Sequence, residues 1–353
     1  MLSNEISDTF AYGKFNPNSI RPLAPLKAQT SSSTYKDEGV SEDTEEYEDG
    51  DDRYDEYPSE DDGINQTTVV NGKSMKHLPL TDDQLILCSC ILKGYALKLK
   101  PWLDFFVDSV SEITWNSSAL KNLVLPSSQK ELILAFATSQ IKNKDSFDDI
   151  ISGEGKGIIM LLSGGPGIGK TLTAESVAEN MKVPLYMMSA GDLGSVSSEV
   201  ESALSIILEM VAKWNAVLLL DECDVFLEER SAHDLERNKI VSIFLRTLEY
   251  YEGILFLTTN RVKNMDPAFQ SRIHISMEYS ALDKKARKQV WVNFLERGIK
   301  HEIAEGEVEK LAEVELNGRQ IKNVLKTSQL LAHHKGVPLK YEHLKTVFSV
   351  EKR

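Results

Sequence analysis

Between residues 158 and 278, short apolar runs alternate with longer stretches that mix apolar and polar residues. The apolar runs predict strands near 158–162, 184–189, 216–221, 253–258 and 273–278. The longer stretches predict helices near 170–181, 197–213 and 236–250. Apolar strands separated by helices are typical of a parallel sheet that is covered on both faces. The pattern therefore predicts an α/β domain, which we place at 126–280.

After Tyr279 the apolar runs stop and only helical patterns remain. Helices are predicted near 283–298, 306–316, 318–334 and 340–349. Apolar residues recur in them at helical spacing, namely Leu311, Val314, Ile321, Val324, Leu325 and Leu331. We therefore expect a small all-helical domain, 281–353, behind the α/β domain.

The chain before residue 126 has a different character. Residues 1–76 are rich in Ser, Pro, Asn and acidic residues without an apolar period, which predicts disorder. The acidic tract 37–62 within them is interpreted as a solvating linker or, alternatively, as a docking site for a basic partner. Residues 77–125 are globular in composition and carry no chemical motif. They predict a connector, or N-terminal helical region, that packs on the domain behind it.

The net charge, the cysteines and the apolar runs argue against several classes of protein. The formal net charge is −14, which argues against a nucleic-acid-binding surface because phosphate contacts need clustered Lys and Arg. Cys88, Cys90 and Cys223 fit neither a disulfide framework nor zinc spacing. No apolar run reaches the length of a membrane span, and the N-terminus lacks the features of a secretory signal. These features favour an intracellular protein, cytoplasmic or nuclear.

A glycine-rich segment, GGPGIGKT, follows the first predicted strand and precedes a predicted helix. It fits G-x-x-x-x-G-K-[ST], the phosphate-binding loop, in the strand–loop–helix context that confirms this motif. Its glycines let the backbone fold around phosphates, and the helix N-terminus adds a positive dipole. The alternative is a glycine-rich turn with an incidental lysine. The predicted nucleotide contacts are Gly164, Gly165, Pro166, Gly167, Ile168, Gly169, Lys170, Thr171 and Leu172.

Two side chains of this loop carry specific chemistry. The Lys170 ammonium can reach the β- and γ-phosphates of a nucleotide, and the Thr171 hydroxyl can ligate Mg²⁺. A second strand, AVLLLDECDVF, ends in Asp221 and Glu222. Asp221 suits a magnesium ligand, and Glu222 suits a general base that polarises the attacking water. The alternative is an acidic turn without a metal.

A third apolar strand, GILFLTTN, ends in Asn260. An amide at this place can hydrogen-bond the γ-phosphate or the attacking water. The alternative is an ordinary asparagine in a turn.

Together, GGPGIGKT, LLLDE, LTTN, MDPAFQSRI (265–273) and the trailing helical domain resemble the AAA+ ATPases, with the order and spacing of the AAA group. The connector and DECDVFLEER are also similar to uncharacterised fungal AAA ATPases. The resemblance implies a five-stranded sheet, a helical lid and ATP bound between them. It also implies a homo-oligomeric ring, usually hexameric, in which the neighbouring subunit completes each site.

Residue by residue, the resemblance assigns roles. Lys170 and Thr171 match Walker A, Asp221 and Glu222 match Walker B, and Asn260 matches sensor 1.

Two arginines also match family positions. Arg272 stands where the family places an arginine finger, whose guanidinium would stabilise charge on a neighbour's γ-phosphate. Arg319 opens a predicted lid helix and matches sensor 2. Both have the alternative of a surface cation. The loop 189–204 lacks the aromatic residue of protein-threading members, and Val196 is its only candidate contact with a polypeptide.

Three functions remain open on the sequence. The first is Mg²⁺-dependent ATP hydrolysis that drives remodelling of a macromolecular client. The second is an ATP-gated interaction module with little or no hydrolysis, favoured by the lone Arg272 and opposed by Asp221 and Glu222. The third is a P-loop kinase for a small acceptor, which the trailing helical domain, Asn260 and Arg272 disfavour.

Overall fold

The computed structural model describes residues 5–7, 69–70, 73–74, 88–142, 157–194, 196–230, 234–260 and 265–350. The chain divides into two compact units, one made of Met1–Pro17 with Ile91–Arg353 and the other of Asn18–Cys90. No helix in these described stretches is long and apolar enough to cross a membrane.

Strand β1 (Glu5–Ser7) belongs to the first unit. In the second unit, strands β2 (Val69–Val70) and β3 (Lys73–Ser74) form an antiparallel hairpin. The rest of region 1–76, with the acidic tract 37–62, lies outside the described residues, and its disorder stays a prediction.

The first unit contains an antiparallel sheet in the order β1, β4, β5, where β4 spans Ile91–Ala96 and β5 spans Trp102–Phe106. A turn at Lys100, whose φ is +65°, joins β4 and β5. A short helix α1 (Ala119–Asn122) follows later. Within the region 77–125, the hairpin corrects the helical interpretation for residues 91–106, and residues 77–87 lie outside the described part of the chain. The physical reason for the hairpin is Pro101, which would interrupt a helix between the two apolar stretches but is tolerated at a turn.

The centre of the first unit is a parallel sheet of five strands in the order β10, β6, β9, β8, β7. The strands are β6 (Ile158–Gly164), β7 (Leu185–Ser189), β8 (Val217–Asp221), β9 (Ile254–Thr259) and β10 (Ile275–Tyr279). The α/β prediction is confirmed, because each strand coincides with a predicted apolar run to within a few residues.

Helices cover both faces of this sheet. They are α2 (Ser127–Lys142), α3 (Lys170–Met181), α4 (Ser197–Lys213), α5 (Asp224–Leu227), α6 (Leu235–Glu249) and α7 (Pro267–Gln270). Successive side chains of a strand point to opposite faces, so β6 supplies both cores. Leu161 packs in the core of α4 and α6, and Met160 and Leu162 pack in the core of α2 and α3. Burial on both faces explains why β6, β8 and β9 read as continuous apolar runs, whereas β10, at the edge of the sheet, alternates buried and exposed residues.

The hairpin of β4 and β5 packs against the α/β domain through an aromatic cluster of Tyr95, Trp102, Tyr186 and Trp214. The hydroxyls of Tyr95 and Tyr186 lie 3.1 Å apart and form a buried hydrogen bond. The Tyr95 and Trp214 ring centroids are 5.4 Å apart. The predicted packing of the connector on the next domain is therefore made by strands.

Four helices follow the sheet and form the predicted helical domain. They are α8 (Lys284–Leu295), α9 (Glu305–Glu313), α10 (Gly318–His334) and α11 (Tyr341–Val350). Their apolar faces meet in one core around the fully buried Trp291. Asn317 caps α10 by accepting from the Gln320 backbone N–H at 2.8 Å, and the Gln320 side chain accepts from the Asn317 N–H at 2.9 Å.

His274 predicts a pH dependence of stability. Its Nδ1 accepts a hydrogen bond from the Ile159 N–H at 3.1 Å, which requires the neutral ring. Desolvation of the imidazole lowers the pKa of His274. As the pH falls below about 6.5, His274 binds a proton in the unfolded chain before it does so in the folded one. The contribution of neutral His274 to the free energy of unfolding is therefore present above that pH and is lost below it.

We expect His274→Asn, whose Oδ1 can accept the same bond without titrating, to flatten this loss. Denaturant unfolding between pH 7 and 5 measures the free energy of unfolding of both proteins. The slopes of that free energy against pH should differ by at most the equivalent of one bound proton. Parallel pH profiles would contradict the assignment.

Candidate functional site

The glycine-rich loop joins the end of β6 to the start of α3 at the carboxyl edge of the sheet. Two of its glycines are required by the backbone. Gly164 has φ +137°, and a Cβ there would lie 2.3 Å from the Tyr279 carbonyl oxygen. Gly167 has φ +72°, and a Cβ there would lie 2.8 Å from the Asn317 side-chain oxygen. A side chain at either place would collide with the sheet edge or the helical domain. By contrast, a Cβ at Gly165 would have no atom within 4 Å, so the loop is open on that side.

The Lys170 ammonium lies inside this loop. Its Nζ donates to the carbonyl oxygens of Gly164 and Gly165, both at 2.7 Å, and to Asn260 Oδ1 at 2.9 Å. The residue is only 7% exposed. Burial lowers the pKa of Lys170, while the carboxylates of Asp221, Asp224 and Glu222 oppose that change. The structure thus brings Lys170 and Asn260, two of the residues singled out in the sequence, into direct contact.

Thr171 and Asp221 also meet. The Thr171 hydroxyl donates to Asp221 Oδ2 at 3.1 Å, and Thr258 donates to Asp221 Oδ1. A hydroxyl beside a carboxylate is an all-oxygen donor set, which suits Mg²⁺. Mg²⁺ is usually bound by one or two protein groups with water and substrate phosphates. A magnesium site of this kind does not require a cluster of three His, Cys, Asp or Glu side chains. Among the described residues, no such cluster is found.

Glu222 follows β8 in an unusual backbone conformation. Its φ is +54°, in the left-handed region that non-glycine residues rarely adopt. Its backbone N–H donates to the Thr258 hydroxyl at 3.0 Å, which ties the residue to the neighbouring strand β9. The side chain is exposed at the carboxyl edge of the sheet. A strained residue fixed in this way is a feature of functional sites.

Asn260 is anchored by Asp224, a residue that the sequence interpretation missed. Asp224 Oδ1 accepts from the Asn260 N–H at 3.1 Å and from the Thr259 hydroxyl. The signal was present as a third acidic residue behind Asp221 and Glu222 and as two threonines before Asn260. These residues attract attention only once β8 and β9 are known to be neighbours.

The helical domain contributes to the same edge. The Gly318 N–H, at the start of α10, donates to the Gly167 carbonyl oxygen at 2.8 Å. A Cβ on Gly167 would lie 2.9 Å from the Arg319 Cβ, so Arg319 begins next to the loop. The positive charge of Arg319 contributes to the lowered pKa of Lys170, after burial. Arg319 therefore lies where a residue of the helical domain can face the loop. Leu172, one residue behind Thr171, is 43% exposed on α3.

Arg272 is not brought to the loop. Its guanidinium forms an ion pair with Glu249, at the end of α6, and donates to the Ala268 carbonyl oxygen at 2.9 Å. Its side chain is 26% exposed. The structure therefore groups Lys170, Thr171, Asp221, Glu222, Asn260 and Arg319, and the Arg272 guanidinium contacts Glu249 and Ala268 instead.

Residues 160–281 match the sequence model of the family described as "ATPase family associated with various cellular activities (AAA)". A protein named as a homologue of a 26S proteasome regulatory subunit, from Methanothermobacter thermautotrophicus, is 29% identical over 179 residues, 48% of this chain and 48% of the relative. ATP-dependent zinc metalloprotease FtsH of Caldicellulosiruptor bescii is 30% identical over 210 residues, 56% of this chain and 33% of the relative. Fidgetin-like protein 1 of Caenorhabditis briggsae is 32% identical over 165 residues, 43% of this chain and 27% of the relative.

The chain therefore spans less than half of the length of each of these relatives. The matched segment 160–281 contains the loop, the acidic pair, Asn260 and Arg272, while Arg319 lies beyond it. The parallel five-stranded sheet, the loop at its carboxyl edge and the family match agree with each other, and residues 160–281 form an AAA domain of the AAA+ ATPase superfamily.

Proposed function

We propose that this protein binds ATP with Mg²⁺ and hydrolyses it, and that hydrolysis drives remodelling of a macromolecular client. Family membership supports ATPase activity in general. The observation that carries the proposal for this chain is the contact between Lys170 and Asn260, with the Thr171–Asp221 pair beside it. A buried ammonium, an amide and a carboxylate next to an open glycine loop are the groups that phosphoryl transfer needs.

ATP would be held by its phosphates at the loop. The backbone N–H groups of the loop and the N-terminus of α3 attract anions, and the Lys170 ammonium supplies a full positive charge. Mg²⁺ would be held by the Thr171 hydroxyl and the Asp221 carboxylate, and when bound it would neutralise charge on the phosphate oxygens. Arg319 would act from the helical domain as the sensor 2 residue.

Glu222 would accept the proton of the attacking water, and Asn260 would orient that water. An exposed carboxylate beside Asp221 can take the proton as the water oxygen bonds to the γ-phosphorus, while the bond from that phosphorus to the β,γ-bridging oxygen breaks and ADP leaves. The Asn260 side chain already contacts Lys170 through its oxygen, so its NH₂ group faces elsewhere and can donate.

The complete enzyme would be a homo-oligomeric ring, with hexamers as the family's usual form. Arg272 would complete the site of a neighbouring subunit, because no contact described for it within its own subunit is with the loop. A phosphate-release assay over a range of protein concentrations tests the proposal. Specific activity should rise with concentration as subunits assemble, and sedimentation with ATP, with ADP and without nucleotide should show the same assembly.

Arg272→Ala tests the shared site. We expect hydrolysis to fall about 10³-fold or more while ATP binding stays within a few-fold, because an arginine finger acts mainly on the transition state. Mixing this variant with Lys170→Ala should restore part of the activity, since the second variant supplies Arg272 to sites with an intact Lys170. Arg246→Ala, which removes an exposed arginine of α6 paired with Glu201, is the matched control. Lack of rescue at every mixing ratio would argue against action between subunits.

An ATP-gated interaction module is the second candidate. The pairing of Arg272 with Glu249 favours it, because a neutralised guanidinium offers less charge to a γ-phosphate. In that case, calorimetry would show ATP binding while phosphate release stayed near background at all protein concentrations.

A further inference from the structure

One carboxylate oxygen at the edge of the sheet holds two donors from the next strand. Asp224 Oδ1 accepts from the Thr259 hydroxyl and from the Asn260 backbone N–H at 3.1 Å. Asp224 begins α5, directly behind β8, and the two donors stand at the end of β9. The contact therefore links the ends of two paired strands, one leading to Asp221 and Glu222 and the other leading to Asn260.

We infer that Asp224 is a positioning residue that fixes Asn260 and, through it, the place of the Lys170 ammonium. The inference rests on the proposed ATP hydrolysis. Asn260 is itself exposed, so packing does not hold it. Its backbone is fixed on one side by Asp224, and its side-chain oxygen lies 2.9 Å from Lys170 Nζ on the other. With both ends held, the amide has one preferred direction, and a catalytic group misplaced by about 1 Å can lose about a hundredfold in rate.

The acceptor oxygen, more than the negative charge, explains the arrangement. Asp221 and Glu222 already place two carboxylates within three positions of Asp224, and a third adds repulsion. What Asp224 adds is a single oxygen that both Thr259 and Asn260 can reach. An asparagine in its place keeps such an oxygen, in the same geometry, with weaker hydrogen bonds.

The experiment compares Asp224→Ala, Asp224→Asn and the control Asp283→Ala in the full chain. Asp283 is a matched aspartate that caps α8 by accepting from the Ala286 N–H at 2.6 Å, and its described hydrogen bonds are all within α8. Amide hydrogen exchange at Asn260 is measured without nucleotide, and kcat and the Kd for ATP are measured with Mg²⁺. The exchange measurement does not depend on turnover, so failure of the positioning and failure of the proposed hydrolysis are distinguishable.

In Asp224→Ala, we expect exchange at Asn260 to be about tenfold faster or more. We expect kcat to be about a hundredfold lower with the Kd for ATP within about threefold of the wild type. Asp224→Asn should restore both measurements to within about threefold, and Asp283→Ala should change neither. Unchanged exchange in Asp224→Ala would overturn the inference. Equal losses in both Asp224 variants would also overturn it, since charge and not the acceptor would then matter. If the wild type does not hydrolyse ATP, the exchange rate at Asn260 alone decides whether Asp224 positions Asn260.

Discussion

Replacing Glu222 with glutamine is expected to lower steady-state ATP hydrolysis by about 10²- to 10⁴-fold while ATP still binds with nearly unchanged affinity. Glutamine keeps the size of the side chain and the backbone N–H that donates to Thr258, but it cannot accept a proton. The loop, Lys170 and the Thr171–Asp221 pair are untouched. Phosphate release measures the first quantity, and calorimetry with Mg²⁺ and ATP measures the second.

Glu278→Gln is the matched control for this variant, because Glu278 is an exposed carboxylate on β10. Its turnover should equal that of the wild type. If Glu222→Gln also retained wild-type turnover, Glu222 would not be the general base, and the water would have to be activated by another group.

Lys170→Ala is expected to weaken ATP binding by about 10- to 100-fold, the loss of a hydrogen-bonded charge. Lys170 is 7% exposed, so little water replaces the missing ammonium. The same variant should lose most of the thermal stabilisation that saturating ATP gives the wild type, because stabilisation follows the ratio of ligand concentration to Kd.

Lys326→Ala, which removes an exposed lysine on α10, controls for the loss of one positive charge. Its Kd for ATP should match the wild type. Undiminished binding in Lys170→Ala would place the nucleotide somewhere other than the glycine-rich loop and would remove the basis of the proposed function.

Local sequence patterns predicted the part of the fold that depends on burial. A strand covered on both faces must be apolar throughout, so β6, β8 and β9 stood out as runs. The loop was predictable because its glycines serve the backbone itself, as Gly164 shows. Lys170 and Thr171 follow from the glycine-rich motif, and Asp221 and Glu222 follow from the end of β8 at the same edge of the sheet.

The rest depends on neighbours that are distant along the chain. The role of Asp224 depends on the hydrogen bond that it accepts from the Asn260 N–H, and Asn260 lies 36 positions later in the chain. The pairing of Arg272 with Glu249 and the contact of Gly318 with Gly167 likewise exist only after the helices have packed. The hairpin of 91–106 was mistaken for a helical region because short amphipathic stretches support both interpretations.

The aromatic cluster under the hairpin has a practical consequence for anyone who expresses a shortened version of this protein. The segment that matches the AAA family model starts at residue 160. However, Tyr186 and Trp214 pack against Tyr95 and Trp102, which lie before that segment in the chain. A truncation at residue 160 would remove Tyr95 and Trp102 and leave an exposed apolar surface that is prone to association. Cuts intended to isolate the α/β domain should therefore fall before residue 91.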